Sequence, residues 1–458
     1  MPVTAVRTAI LAARARPSVP KVRVQSAHWY VFFQWALRLA DAALIMANLA
    51  LLATCSTLRS QLRAHLQTSG DAGWLQRLRI VGAIGNQEGA GMKQIVVFGA
   101  TGYTGRLVVA ALAGRGLRLV LAGRSQQRLR ELSERYGGLD TAIAEVTQPH
   151  SVRALVEDGD VLVSTVGPFL RYGEPALEAA VAAGAHYVDC TGEAGFVRRV
   201  FGEYGRRAQD AGCVLLTAFG YDFVPGNLAG ALAARAAGGQ ASRVEIGYFT
   251  AGDPGRGLSS GTRATMATGI GQQVHALVAG QLVLAPFARR VRVFADGGRR
   301  RPAGLLGGTE PLALPRVAPA LTDVAVFLGW FAGATRLLQV GSYVLPLLVR
   351  TPGIAAVLRR RGEQALARTG QGPDEQQRSA AAGESIVIAV AADRGGRELA
   401  SVRLRGINGY DLTGRLLAWA AAQLAPGRVT TAGALGPVDA FGVEALEGAC
   451  REAGLGRD

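Results

Sequence analysis

Three glycines at three-residue spacing could form a phosphate-binding turn. Gly99, Gly102 and Gly105 lie between a short β-branched run, residues 93–98, and a stretch with helical apolar spacing, residues 106–113. The first turn of such a helix offers unpaired backbone N–H groups and the positive end of its dipole, and the missing side chains let a pyrophosphate approach closely. A strand before the glycines and a helix after them are the context that a dinucleotide-binding fingerprint requires.

Polar side chains in and near this turn predict which dinucleotide binds. Thr101 and Thr104 can donate hydroxyl groups, and Tyr103 lies between them. The next predicted strand ends in Arg124 and Ser125, with no Asp or Glu where the ribose 2′-hydroxyl of NAD would be held. A guanidinium and a hydroxyl suit a 2′-phosphate, which predicts NADP. The alternative is a solvated arginine followed by a helix N-cap serine.

A parallel sheet must position these groups, and the chain from residue 92 predicts one. Predicted strands alternate with predicted helices, which implies right-handed crossovers and a doubly wound, Rossmann-type α/β sheet. The predicted strands span residues 93–98, 118–122, 141–145, 160–166, 186–190 and 213–218. The predicted helices span residues 106–113, 126–136, 174–183 and 196–211.

The alternation stops after residue 220, where the pattern predicts an α+β substrate or dimerisation domain. Its predicted elements are a strand at 242–250, a helix at 262–279, a strand at 282–294, and a hairpin formed by 385–392 and 398–405. A closing helix is predicted at 411–423. We therefore expect a Rossmann domain at 92–225, the α+β domain at 226–405 and a C-terminal segment at 406–458.

Two apolar regions leave alternatives open. Residues 324–349 predict a hydrophobic helical hairpin, which either packs in the core or an oligomer contact or lies at a membrane interface. Residues 1–91 do not match the pattern of the rest of the chain. They are a disordered extension, a transit-like or membrane-anchoring segment, or a stretch that is not translated. The last interpretation follows because residues 87–91 can be encoded by a ribosome-binding sequence just before Met92.

Composition excludes several classes of protein. The chain has 458 residues, of which 49% are hydrophobic and 18% charged, so it is too apolar to be disordered. Its four cysteines have no metal-ligand spacing, which indicates reduced thiols in the cytoplasm and no metal site. The net charge of +16 rests almost wholly on arginine, so it reflects either codon use or anionic partners. The basic clusters lack interleaved aromatics, so we expect no nucleic-acid partner.

The motifs GATGYTG, LAGRS and VLVSTVGPFLRYGEPALEAAVAAGAHYVDCTGE together resemble those of saccharopine dehydrogenase-like oxidoreductases. Within that family they are most similar to the branch of the mycobacterial trans-acting enoyl reductases. The resemblance runs from about residue 92 to the C-terminus and includes further motifs at 219–226, 259–262 and 409–413. It implies a Rossmann domain, an inserted α+β domain and a C-terminal helix that returns to the first domain.

The resemblance also assigns residues to the cofactor. The loop after the fourth strand lies along the dinucleotide in that family, so Thr165, Val166, Gly167 and Pro168 are expected to contact NADP. Tyr172 would then lie on the substrate side, and residues 190–193 would border the same crevice. These segments follow the carboxyl ends of parallel strands, where open α/β sheets bind ligands.

Hydride transfer also needs a proton donor, and four side chains are candidates: Tyr172, His186, Tyr221 and Asp222. The leading hypothesis is an NADPH-dependent enoyl or carbonyl reductase of lipid biosynthesis that acts on a small or carrier-bound acyl substrate. The alternatives are an amino-acid dehydrogenase of the saccharopine type and a non-catalytic, lipid-associated nucleotide-binding protein. A homodimer and peripheral contact with the plasma membrane are further expectations.

Overall fold

The computed structural model describes residues 93–251, 273–330, 335–349 and 383–458. The predictions for residues 1–91 and for the motif at 259–262 lie outside these residues.

The elements are numbered in chain order. The strands are β1 (Ile95–Phe98), β2 (Leu119–Gly123), β3 (Asp140–Ile143), β4 (Val161–Ser164), β5 (His186–Asp189), β6 (Val214–Leu216), β7 (Arg243–Thr250), β8 (Gln273–Val278), β9 (Gln281–Pro286), β10 (Val291–Asp296), β11 (Arg299–Leu306), β12 (Asp323–Leu328), β13 (Ser385–Ala392), β14 (Glu398–Gly406), β15 (Gly433–Ala434) and β16 (Leu455–Arg457). The α-helices are α1 (Tyr103–Leu112), α2 (Gln126–Arg135), α3 (Pro149–Arg153), α4 (Phe169–Tyr172), α5 (Glu174–Ala183), α6 (Ala194–Arg199), α7 (Gly205–Asp210), α8 (Val224–Ala236), α9 (Glu310–Val317), α10 (Thr335–Val349), α11 (Gly409–Leu424), α12 (Pro437–Phe441) and α13 (Val443–Glu452).

The first sheet is the doubly wound parallel sheet that the sequence predicts. Its strand order is β15-β6-β5-β4-β1-β2-β3, and every neighbouring pair is parallel. The central strands β1 and β4 are buried along their whole length, because apolar layers cover both faces of the sheet. The order reverses between β1 and β4, and ligands bind open α/β sheets at such a switch point. The predicted Rossmann-type fold is confirmed.

The second sheet is mixed and curls on itself. Its path is β10-β11-β12-β7-β13-β14-β16, with the β8–β9 hairpin attached through β12. Although β10 and β14 lie at the first and sixth positions, Asp296 on β10 pairs with Arg403 on β14 at 2.7 Å. The concave side holds the rings of Phe249, Phe294 and Phe327, whose successive centroids lie 5.6 and 5.8 Å apart. The predicted hairpin of β13 and β14 is present, with antiparallel pairing.

Two predictions for this region are wrong. Residues 273–278 form strand β8, where a helix was predicted, and residues 323–328 form strand β12, where one arm of an apolar helical hairpin was predicted. A short apolar run buried on both faces has the same composition in a strand as in a helix, so periodicity cannot separate the two. No helix among the described residues is long and apolar enough to cross a membrane.

Helix α11 packs closely against α1, the helix that follows β1 of the first sheet. Gly414 lies at the contact, where an added Cβ would be 2.6 Å from the Cβ of Leu107. The chain then adds β15 to the edge of the first sheet and β16 to the edge of the second. The C-terminal segment therefore joins both sheets.

We predict that Gly414→Ala lowers the free energy of unfolding by about 1–3 kcal/mol, because its methyl group would overlap Leu107. The matched control is Gly448→Ala in α13, where no described atom lies within 4 Å of the added Cβ. Alanine's higher helix propensity should make that control more stable by about 0.5–1 kcal/mol. Urea unfolding measures both, and equal effects in the two variants would contradict the close contact.

Candidate active site

The glycine turn is shaped by close backbone approaches. Gly99 follows β1 with φ of +86°, and an added Cβ there would lie 2.6 Å from Oγ1 of Thr165. A Cβ on Gly105 would lie 2.2 Å from the carbonyl oxygen of Gly99. These positions therefore admit only glycine without movement of the backbone or of the loop after β4.

The N-terminus of α1 faces this turn and suits an anion. Gly102 is its N-cap, and no side chain caps the first turn. The unpaired N–H groups and the dipole of this helix favour a pyrophosphate at this position. Thr101 and Thr104 flank the turn and are partly exposed. The ring of Tyr103 instead packs edge-on against Tyr410 of α11, with centroids 5.1 Å apart.

The two residues after β2 have different roles. Oγ of Ser125 accepts the N–H of Arg128 at 3.5 Å and caps α2, so the N-cap interpretation holds for this serine. Arg124 is exposed, and no carboxylate of the described residues pairs with it. Its guanidinium is therefore available for a 2′-phosphate beyond the carboxyl end of β2.

The loop after β4 lies beside the glycine turn, as expected. The hydroxyl of Thr165 is committed to the protein, because it lies 3.1 Å from the carbonyl oxygen of Phe98 and 3.2 Å from that of Gly99. The next three residues line the surface of the crevice with partial or full exposure: Val166, Gly167 and Pro168. They are the part of this loop that a cofactor can touch.

Two buried carboxylates hold the neighbouring loops in place. The sequence analysis placed Glu193 at the border of the crevice without a role and did not single out Asp189. Glu193 accepts the N–H groups of Phe169 and Leu170 at 2.7 and 3.0 Å, which caps α4. Oδ1 of Asp189 accepts the N–H groups of Thr191 and Ala218 at 2.8 and 2.9 Å. Burial raises the pKa of Asp189 to about 6 against the opposing effect of these hydrogen bonds. The signal in the sequence was their position at the carboxyl end of a buried strand, with Asp189 the last residue of β5 and Glu193 four residues later.

The predicted proton donors do not all reach this crevice. Asp222 does: its Oδ2 lies 3.2 Å from where a Cβ on Gly192 would be, so it faces the loop after β5. Desolvation raises the pKa of Asp222 to about 6. Tyr172 is partly exposed at the end of α4, and Arg171 lies 5.0 Å from its ring centroid.

Tyr221 and His186 have structural contacts instead. The hydroxyl of Tyr221 is buried and donates to the carbonyl oxygen of Phe249 at 2.9 Å, and burial raises its pKa. His186 is the first residue of β5, so it lies at the amino ends of the parallel strands, whereas the glycine turn lies at their carboxyl ends. Its Nδ1 accepts the N–H of Val214 at 3.1 Å. Burial lowers the pKa of His186, so its imidazole is neutral at pH 7. The structure does not bring His186 to the crevice.

Comparison with known proteins agrees with this geometry. Residues 95–216 match the family model of the saccharopine dehydrogenase NADP binding domain. This domain is a saccharopine dehydrogenase NADP-binding domain. Its cofactor is therefore NADP(H), which the open N-terminus of α1 and the exposed Arg124 fit. Among the described residues, no group of three or more His, Cys, Asp or Glu side chains could hold a metal ion.

Curated relatives share the NADP-binding region. A stretch of 141 residues is 38% identical to the trans-acting enoyl reductase of Mycobacterium ulcerans, covering 30% of this chain and 34% of that protein. A putative trans-acting enoyl reductase of Mycobacterium tuberculosis is 39% identical over 140 residues, 29% of this chain and 33% of that protein. The chain thus spans about a third of the length of the curated relatives it matches.

One solved structure shares the fold over most of the chain. The saccharopine dehydrogenase (L-Glu forming) of Saccharomyces cerevisiae matches with a TM-score of 0.51 and 12% identity, covering 80% of this chain and 99% of that chain. At this identity the likeness shows that the two-sheet architecture is shared.

We predict that Arg124→Ala weakens NADPH binding by about ten- to a hundredfold, the loss of one charge-assisted hydrogen bond of about 1.5–3 kcal/mol. NADH binding should not change, because NADH has no 2′-phosphate. Arg135→Ala, at the other end of α2, is the matched control. Fluorescence titration measures the affinities of the wild type, Arg124→Ala and Arg135→Ala for NADPH and NADH. An equal loss of NADH and NADPH affinity in Arg124→Ala would contradict the assignment.

Proposed function

We propose that this protein is an NADPH-dependent oxidoreductase that reduces an enoyl or carbonyl group of an acyl substrate in lipid biosynthesis. The observation that carries the proposal is a carboxyl group, Asp222, at the same crevice edge as the NADP-binding loops. The names of the curated relatives support an enoyl group as the target. A carrier-bound acyl chain is the substrate form that we propose on the same ground.

Bound NADPH supplies a hydride to the substrate. The protein's own residues must orient the dinucleotide, receive the acyl group and deliver one proton to it. The glycine turn and Arg124 hold the phosphate groups, which leaves the loop at 166–168 for the nicotinamide half. In an enoyl reduction, hydride addition to the β-carbon leaves an enolate, and a proton at the α-carbon completes the reaction.

Of the four predicted donors we propose Asp222 as the acid. Tyr221 has its hydroxyl bonded to a backbone carbonyl group, and His186 lies at the opposite edge of the sheet. The raised pKa of Asp222 keeps a larger fraction of its carboxyl group protonated near neutrality than an exposed aspartate would have. In its protonated form Asp222 can give its proton to the enolate.

We predict that Asp222→Asn lowers kcat about a hundredfold or more, the usual contribution of a positioned acid. The affinity for NADPH should stay within about twofold, because Asp222 holds no phosphate group. NADPH oxidation with a trans-2-enoyl coenzyme A thioester measures kcat, and fluorescence titration measures affinity. In the wild type, kcat/KM should fall as the pH rises above about 6, since the active form is the protonated acid.

Asp393→Asn, in the turn between β13 and β14, is the control and should leave kcat unchanged. If Asp222→Asn retained full activity, Asp222 could not be the acid. If no enoyl or carbonyl thioester supported NADPH oxidation by the wild type, the proposed substrate class would be wrong.

A further inference from the structure

Glu310 is a buried carboxyl group without a cationic partner. It begins α9 and has none of its surface exposed. No arginine, lysine or histidine of the described residues forms an ion pair with it. Desolvation raises the pKa of Glu310 to about 8, so the group is mostly protonated at neutral pH.

The carboxyl group fits into space that two glycines leave open. Oε1 of Glu310 accepts the hydroxyl hydrogen of Tyr248 at 2.8 Å, and that hydroxyl oxygen accepts the N–H of Gly226 at 2.8 Å. Oε2 has no hydrogen-bond partner. A Cβ on Gly226 or Gly308 would lie 2.2 Å from one of the two carboxyl oxygens. The backbone around Glu310 is therefore shaped to hold this side chain.

This pair of side chains supports the turn that carries Asp222. Gly226 lies four residues after Asp222, at the start of α8. The ring of Tyr248 packs edge-on against Tyr221 and Phe223, with centroids 5.4 and 5.7 Å away, and these two residues flank Asp222. Burial raises the pKa of the Tyr248 phenol, and the charge of Asp222 adds to this rise.

Few other titratable groups face Glu310. Tyr248 faces it from β7, and Asp222 acts on it from the turn before α8. His275 of β8 lies across the loop before α9, with Nε2 2.8 Å from the carbonyl oxygen of Gly308. Burial lowers the pKa of His275 to about 4, so this imidazole is neutral as well. No positive charge among these groups compensates an ionised Glu310.

Burial of this acid costs stability as the pH rises. The pKa of Glu310 rises from 4.5 to about 8 on folding, so between these values the folded state holds a proton that the unfolded chain has lost. The stability that this group contributes is full below pH 4.5 and is lost progressively as the pH rises towards 8. A destabilising buried acid beside a candidate active site is typical of a residue kept for function.

We propose that Glu310 is a positioning residue, which through Tyr248 fixes the turn that carries Asp222 and which must stay uncharged for turnover. The inference rests on the proposed reductase function. An ionised Glu310 would place a second negative charge near the developing enolate, in a region of low dielectric constant, and would oppose its formation. The uncharged acid avoids this repulsion and still accepts the hydrogen bond of Tyr248.

The first test needs no substrate. Glu310→Gln is neutral at every pH and keeps an oxygen that can accept from Tyr248. The melting temperature of the variant minus that of the wild type should increase from pH 5 to pH 8 and then level off. Glu134→Gln, an exposed position on α2, is the control and should show no such rise. A difference that does not vary with pH would overturn the assignment of Glu310 as a buried neutral acid.

The second test uses NADPH oxidation with a trans-2-enoyl coenzyme A thioester. Above pH 8, kcat/KM of the wild type should fall more steeply than the single deprotonation of Asp222 requires, and Glu310→Gln should remove the extra fall. Tyr248→Phe breaks the link to Gly226 and should lower kcat about tenfold or more, with little change in NADPH affinity. An identical pH profile in wild type and Glu310→Gln, or full activity of Tyr248→Phe, would overturn the positioning role.

The two tests separate the two proposals. If the melting-temperature test gives the expected rise and Asp222→Asn remains fully active, the proposed acid is wrong and Glu310 remains a buried neutral carboxyl group. If Asp222→Asn is inactive and the Glu310 and Tyr248 variants behave as wild type, only the positioning role fails.

Discussion

Two buried carboxylates, Asp189 and Glu193, hold together three loops at the carboxyl edge of the parallel sheet. Asp189 binds backbone N–H groups of the loops after β5 and β6, and Glu193 binds those at the start of α4, in the loop after β4. A buried carboxylate is stable only where hydrogen bonds replace its lost hydration. The loops cannot separate without exposing these acceptors or leaving them unpaired, so the crevice keeps its shape.

A second pair of carboxyl groups at the crevice is held differently. Asp222 and Glu310 have few hydrogen-bond donors, and desolvation raises the pKa of each. The hydrogen bonds that Asp189 accepts oppose the effect of its burial on the pKa, whereas burial raises the pKa of Asp222 without such opposition. The same residue types thus fix the loops on one side of the crevice and, as we propose, supply a proton donor on the other.

The sequence predicts the first sheet well because its signals are local. The strand, glycine turn and helix around Gly99 lie within about twenty residues, and the central strands are short buried runs. The second sheet was harder to predict because its pairings are distant: β7 lies beside β12 and β13. The run that became β12 is apolar on both faces, and only those partners determine that it is a strand.

The same difference between local signals and distant contacts applies to the site. Gly99, Gly102 and Gly105 could be proposed as phosphate-binding residues from their spacing, and Arg124 from its position after a strand. Glu310 and Tyr248 could not, because 62 residues separate them along the chain and a lone glutamate before a helix resembles an ordinary first-turn acid. Their significance arises only from burial and from the contact with Gly226.

The distribution of charge makes one end of the crevice more favourable for phosphate groups than the other. Unpaired N–H groups at the start of α1 and the exposed Arg124 make one end of the crevice attractive to phosphate groups. The other end contains Asp222 and the buried Glu310, which provide no positive charge for a phosphate group. The diphosphate and the 2′-phosphate of NADPH suit the end with α1 and Arg124, and we propose that the nicotinamide ring lies towards Asp222. Reduction chemistry requires that orientation, and the electrostatics of this crevice favour it before any substrate binds.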